Sequence, residues 1–269
     1  MNWYATLDEL KRELGITSTS YDAHLGAVLE WASRHVDGLC GRHFYIEQGT
    51  RYFDTSDSSE HCWVDDCIDV TSLACDDDCD LSYGESWTEG EDFVLKPFNT
   101  WPKMEVWTHP DGNYSFAKLK RRYVKVVGAW GYGDGWRENP VDALGVNITA
   151  SSSSATSVTA STAGVVQAGM TLLVENEQMF VSAVSDTSCT VVRGVNGTTA
   201  AAHNAKSASR YAYPMGVNRT AIVLASEAWN KRESAGKANE GLGDYRVTWM
   251  DDAQLDKRDM RLLGQYVRV

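Results

Sequence analysis

The sequence predicts an α+β protein in which a helical core of about four helices carries a projecting, β-hairpin-rich middle region and a small inserted all-β module. Three observations predict it. Apolar residues recur at helical spacing near both ends of the chain, short runs bounded by turn residues fill the middle, and residues 146–213 have a composition of their own. The domains expected are 1–145, with two helices and the β region, 146–213, the inserted module, and 214–269, with a third and a C-terminal helix.

Two helices are predicted in the first part of the chain. Thr6 and Glu9 have the spacing of a capping box, so a short helix should begin after Thr6 and run to Gly15. A second helix should begin near Thr19 and end at Gly38 to Gly41, because the apolar residues between them share one helical face. These residues are Leu25, Val28, Leu29, Ala32 and Val36.

The segment from Phe44 to about Tyr132 is predicted to form strands and hairpins. Its short apolar and aromatic runs are 44–46, 51–53, 62–64, 93–95, 104–107 and 123–127. The acidic run Asp76–Asp80 lies between two of them. It lacks the glycine and the distant glutamate of a calcium-binding loop, so a solvated hairpin tip is the favoured interpretation.

The remaining segments predict a β module followed by a return to helix. Residues 146–213 combine a Ser/Thr/Ala-rich run with three apolar runs and a turn signal at Asn196-Gly197, as expected of a small inserted β module. Apolar spacing then predicts a third helix, whose apolar stripe runs from Val217 to Ala228 and which ends in the basic segment Lys231-Arg232, and a fourth helix over 252–266.

Charge is unevenly distributed along the chain. The net charge is −12, and residues 1–145 hold 13 basic and 26 acidic side chains. Such acidity disfavours a surface that binds DNA phosphates by counterion release but suits a wall past which DNA slides. Solubility alone explains most of these charges. No run approaches the roughly 18 apolar residues of a membrane span, and the N-terminus lacks a signal-peptide pattern, so use in a cytosol is expected.

No catalytic or cofactor-binding motif is found, so neither an enzymatic activity nor a cofactor is expected. Cys62, Cys67, Cys75 and Cys79 cluster near His61, but their spacing does not give two CxxC-type knuckles. We therefore favour the interpretation that these cysteines are small apolar residues on strands and a turn, and not ligands of a zinc ion. The chain has ten tryptophans and twelve tyrosines, some of which we expect at contacts between subunits and the rest in the core.

Several strings, taken in order, resemble a known family. They are Tyr4–Lys11, Trp31–Tyr45, Trp63–Asp66, Asp76–Asp80, Trp87, Asp92–Asn99, Gly128–Tyr132 and the ending from Ala221 to Tyr266. Together they are similar to the head-to-tail connector (adaptor) proteins of long-tailed bacteriophages, over most of residues 4–142 and 217–268. The cysteines at 62, 67, 75 and 79 and the 146–213 module depart from the family pattern. Within that module, Arg193–His203 resembles a string of small β modules in various phage virion proteins.

The resemblance implies a structural virion protein that forms a homo-oligomeric ring, commonly of twelve subunits, in the neck of the phage. Its expected partners are further copies of itself, the portal protein and a tail-side neck or terminator protein. DNA would pass through the channel without specific binding, no membrane is involved, and assembly would take place in the host cytoplasm.

Two sets of residues are assigned to this function. Residues 251–269 are expected to dock on the portal through Leu255, Arg258, Arg261, Leu262, Leu263 and Tyr266. The acidic balance of the first part makes Asp76, Asp77, Asp78 and Asp80 the candidates for lining the channel. The alternative function is a tail-tip or capsid-exterior binding protein whose inserted module recognises a host component or carbohydrate. A cell-wall hydrolase is the third reading.

Overall fold

A computed structural model describes residues 1–133, 141–232, 239–242, 245–248 and 261–268. The chain forms two compact units. The first comprises Met1–Arg42, Asp142–Val195 and Ala200–Val269, and the second comprises His43–Val141 and Asn196–Thr199. The domain boundaries 1–145, 146–213 and 214–269 stay a prediction, because compactness alone does not establish independent folding.

The expectation of a helical core is wrong. The protein is mostly β, with 36% strand against 21% helix, and contains a closed six-stranded barrel and a separate sheet. The helices described over their whole length are α1 (Leu7–Leu14), α2 (Asp22–Cys40), α3 (Met215–Lys231) and a 3-10 helix (Gly264–Tyr266). The physical reason is that the barrel and the sheet each enclose an apolar core of their own, so neither depends on a helical bundle for its burial.

Helix α1 begins and ends as predicted. Thr6 Oγ1 accepts the N–H of Glu9 at 3.2 Å, and Glu9 Oε2 accepts the N–H of Thr6 at 2.7 Å, which completes the capping box. Gly15 then ends the helix with a left-handed φ of 67°. Helix α2 begins at Asp22, three residues later than the predicted Thr19, and ends at Gly41. α3 packs against both α1 and α2.

The barrel belongs to the first unit, together with the helices. Its strands are β7 (Val141–Ala150), β8 (Ser157–Ala160), β9 (Thr171–Val174), β10 (Glu177–Ser185), β11 (Ser188–Val192) and β12 (His203–Tyr211), in the order β10-β11-β8-β7-β12-β9. Closure leaves no strand edge in this sheet. The N-terminal segment packs on the barrel: the Trp3 ring lies 5.2 Å from that of Phe180, and Leu7 N–H donates to the carbonyl of Ala168 at 2.9 Å.

The second unit is built on an antiparallel sheet. Its strands are β1 (Glu47–Phe53), β2 (His61–Cys75), β3 (Glu85–Trp87), β4 (Phe93–Lys96), β5 (Lys103–Thr108) and β6 (Val124–Trp130), in the order β1-β6-β2-β5-β4, with β3 beside β2. The long strand β2 pairs with β5 near its start and with β6 toward its end. The run 44–46 is not a strand, whereas the other five predicted runs overlap strands.

The C-terminal part is described in pieces. β13 (Asn239–Leu242) and β14 (Tyr245–Thr248) form an antiparallel pair. Most of the fourth helix predicted over 252–266 lies outside the described residues, but 261–263 are helical and continue into the 3-10 helix. No helix among the described residues is long and apolar enough to cross a membrane.

Candidate interaction surfaces

One face of the sheet in the second unit carries a cluster of aromatic and cationic side chains, which we call the aromatic face: His61, Trp63, Lys96, Phe98 and Trp107. Along β2 the side chains alternate between the two faces, so Cys62 and Val64 are buried in the core while His61 and Trp63 lie on the opposite side. Trp63 is 58% exposed and Phe98 is 62% exposed.

The rings of the aromatic face are held in fixed positions by cross-strand pairing. His61 of β2 lies directly opposite Trp107 of β5, and their rings stack with centroids 4.9 Å apart. Trp63 meets His61 edge-on at 5.8 Å, and the Lys96 ammonium lies 3.5 Å from the Trp107 ring centroid. Glu105 accepts the indole N–H of Trp107. The cluster is therefore ordered before any partner arrives.

Phe98 is presented by a loop that a buried lysine holds in place. The Lys103 ammonium donates to the carbonyls of Pro97 at 2.7 Å and Phe98 at 3.0 Å, and lies 3.8 Å from the Trp101 ring centroid. Trp101 in turn donates its indole N–H to the carbonyl of Ile68 at 3.1 Å. These bonds fix the loop backbone while the Phe98 ring stays in solvent. Exposed apolar groups in a fixed arrangement are typical of a contact surface.

The acidic hairpin tip, residues 76–80, follows the end of β2. Asp76 is buried, and its carboxylate accepts the N–H groups of Asp80 and Leu81, each at 3.0 Å. Asp77, Asp78 and Asp80 are exposed. Of the four residues predicted to line the channel, three therefore present a carboxylate to solvent, and Asp76 instead holds the turn together.

The acidic tip is also where the structure brings metal-ligating groups together. Asp76, Asp78 and Asp80 each place a carboxylate oxygen within 4.8 Å of the others, and no other such group occurs in the described part of the chain. Because both oxygens of Asp76 already accept backbone N–H groups, the arrangement is accounted for by the turn itself.

A basic loop, residues 118–122, precedes β6 and was missed by the sequence reasoning. Lys118, Lys120, Arg121 and Arg122 are all exposed, and Leu119 between them is 75% exposed with a left-handed φ of 56°. Four basic residues within five positions were visible in the sequence. The role of the basic loop depends on the exposure of Leu119, which no periodicity in the sequence indicates.

The four clustered cysteines are not brought together as metal ligands among the described residues. Cys62, Cys67 and Cys75 are buried along β2, whereas Cys79 is exposed. Burial raises the pKa of the Cys62 and Cys67 thiols to about 12 and also raises that of Cys75. Buried thiols on a strand pack as small apolar groups, and this remains the favoured interpretation of Cys62, Cys67 and Cys75.

The Arg193–His203 string serves a buried polar centre in the barrel. The Glu177 carboxylate is 1% exposed and accepts two bonds from Arg193, at 2.6 and 2.7 Å, and one from His203 at 2.8 Å. The N–H groups of Gly194 and Ala201 supply two more. Burial opposes the ionisation of Glu177, but these donors outweigh it and lower its pKa to about 2. The string therefore stabilises the barrel around a buried charge.

The predicted portal contacts fall in different environments. Leu255 and Arg258 lie outside the described residues. Arg261 and Leu262 are exposed, whereas Leu263 is fully buried and Tyr266 is half-buried. The backbone N–H of Arg268 donates to the carbonyl of Cys40 at the end of α2, at 2.8 Å. Within the described set, Arg261 and Leu262 are thus the side chains that a partner can reach, and the portal assignment stays a prediction.

Comparison with known proteins gives no family for the chain. No protein-family model matches it, and no curated protein matches it either.

Proposed function

We propose that this chain is a structural, non-enzymatic head-to-tail connector of a tailed bacteriophage, which works as one member of a homo-oligomeric ring between portal and tail. The ordered strings over residues 4–142 and 217–268 that resemble this family support the proposal. The observation that carries it is the aromatic face, because Trp63 and Phe98 leave large apolar groups in water that a neighbouring copy would cover.

The charge distribution supports the same function. Asp77, Asp78 and Asp80 are exposed on a unit whose surrounding sequence is strongly acidic. A ring whose channel is lined mainly by acidic side chains of residues 1–145 repels the phosphate backbone, so DNA would move through without sticking to the wall. Tight, salt-sensitive binding of duplex DNA by the purified protein would contradict this part of the proposal.

Negative-stain imaging of the full chain, alone and mixed with the portal protein of the same phage, tests the function. We expect closed rings seated on the portal. Binding to host-cell glycans without any ring would instead support the tail-tip alternative. Hydrolysis of cell-wall material by the purified chain would overturn the non-enzymatic assignment.

A further inference from the structure

The acidic tip and the basic loop lie side by side at one end of the sheet in the second unit. β2 ends at Cys75, which pairs with Val124 at the start of β6, so the tip follows one strand and the loop precedes its neighbour. The N–H of Asp76 also donates to the carbonyl of Tyr123 at 3.0 Å. Two patches of opposite charge are therefore adjacent in the order of the strands.

Both patches are held rigid by the surrounding chain. In the basic loop, Leu119 N–H donates to the carbonyl of Ser56 at 2.7 Å, and Lys120 N–H donates to Thr55 Oγ1 at 2.9 Å. The Tyr83 hydroxyl donates to the carbonyl of Arg122 at 2.6 Å. In the acidic tip, the Asp76 carboxylate fixes the backbone by accepting the N–H groups of Asp80 and Leu81. Surfaces ordered in advance lose less conformational entropy when they bind.

The two patches are complementary in composition. The loop presents Leu119, 75% exposed, among the side chains of Lys118, Lys120 and Arg121. Leu81, which directly follows the acidic tip and is 55% exposed, lies beside the three exposed aspartates of the tip, Asp77, Asp78 and Asp80. Over the described parts of the chain, the side chains of Lys118, Lys120 and Arg121 form no ion pair, not even with the neighbouring tip. Each patch thus places an exposed leucine beside charged side chains that form no ion pair within the copy, although the exposed Asp54 carboxylate also lies at the loop, where it accepts the N–H of Arg122 at 2.6 Å.

We propose that the occupant of the basic loop is the acidic tip of a second copy of this chain, with Leu119 of one copy against Leu81 of the next. The inference rests on the proposed ring and names the contact that gives it direction. The contact is head-to-tail when each copy gives its loop to one neighbour and its tip to the other, and it then closes into a ring if the rotation between copies allows. Two copies that exchange both patches would instead stop at a pair. Opposite charges around the leucines select this pairing, and it weakens as salt rises.

Charge reversal tests the contact in the full chain. A loop variant carries Lys120→Glu with Arg121→Glu, and a tip variant carries Asp77→Lys with Asp78→Lys. Each places like charges against each other, so each should raise the concentration for half-maximal ring assembly by about tenfold or more. A chain with all four substitutions keeps the wild-type net charge and should assemble again. Unchanged far-UV circular dichroism and thermal unfolding establish that the variants fold.

Mixing the two reversed chains gives the most specific result. Each loop then meets a tip of opposite charge only in the other variant, so the mixture should form alternating rings at a concentration at which neither variant assembles alone. If the loop variant and the tip variant each form rings as readily as the wild type, the inference is overturned, whereas the proposed connector function is not affected. A mixture that stops at pairs, or no rescue by the fourfold variant, would also overturn it. Failure of the wild type to assemble on the portal would instead remove the proposed function.

Discussion

Replacing Glu177 by glutamine is expected to destabilise the barrel by about 3–5 kcal/mol. The substitution keeps the size of the side chain but removes the charge that faces Arg193 and His203. Both partners are buried, with side chains 6% and 1% exposed, so neither can turn to water for compensation. All five hydrogen bonds to the carboxylate come from N–H groups. The NH2 group of the glutamine is also a donor, so it would face N–H groups with which it cannot form a hydrogen bond.

Glu175 supplies the matched control. It accepts from the other ring nitrogen of His203 at 2.9 Å and pairs with Lys206 at 2.8 Å, but its side chain is 47% exposed. Because solvent screens its interactions, Glu175→Gln should destabilise the barrel far less than Glu177→Gln does. Hydrogen exchange of the amides in β9, β10 and β11, read by mass spectrometry, assigns both losses to the barrel. Equal losses for the two variants, or a loss below about 1 kcal/mol for Glu177→Gln, would refute the reasoning.

The low pKa of Glu177 adds a pH dependence to this comparison. Its folded value of about 2 lies below the ordinary 4.5, so its contribution is fully present above pH 4.5 and is lost as the pH falls through 2. The stability difference between wild type and Glu177→Gln should shrink by about 3 kcal/mol across that window. A difference that stays constant from pH 5 to 2 would contradict the assigned pKa.

Two further predictions concern packing and thiol reactivity. In Gly26→Ala the new Cβ would lie 2.6 Å from Trp3 Cη2, so urea denaturation should show that the free energy of unfolding falls by about 1–3 kcal/mol. Gly38→Ala, whose Cβ would have nothing within 4 Å, should not destabilise α2. Equal effects of the two substitutions would contradict this packing. A thiol reagent applied to the native protein should label Cys79 rapidly and leave Cys62 unlabelled until unfolding, and rapid native labelling of Cys62 would show that its burial is wrong.

The helix ends were predictable because their causes are local. The capping box formed by Thr6 and Glu9 supplies hydrogen-bond partners for the first turn of α1. Gly15 and Gly41 end α1 and α2. Each of these signals acts within a few residues of the helix end. The fold class was not predictable in this way. Closure of the barrel depends on pairing between β12 and strands far back in the sequence, and periodicity carries no signal for such partners.

The candidate surfaces were predictable in part, for a similar reason. Composition identified the acidic run, but only the backbone turn decides that Asp76 is buried while its neighbours are exposed. The many aromatic residues indicated subunit contacts without naming them. Which of them remain exposed depends on strand register, as for Trp63, and on the buried Lys103 that holds the loop beneath Phe98. Register and loop anchoring both arise from long-range contacts.

The mass of the assembly formed with the portal protein tests the central claim most directly. Native mass spectrometry would compare the wild type with Trp63→Ser, on the aromatic face, and with Trp31→Ser, a control on α2 that is also half exposed, at 50%. We predict ring-sized assemblies for the wild type and for Trp31→Ser, and monomers for Trp63→Ser, because only Trp63 lies on the face that a neighbouring copy covers. Assembly of Trp63→Ser indistinguishable from the wild type, or a wild type that stays monomeric with the portal present, would contradict the account.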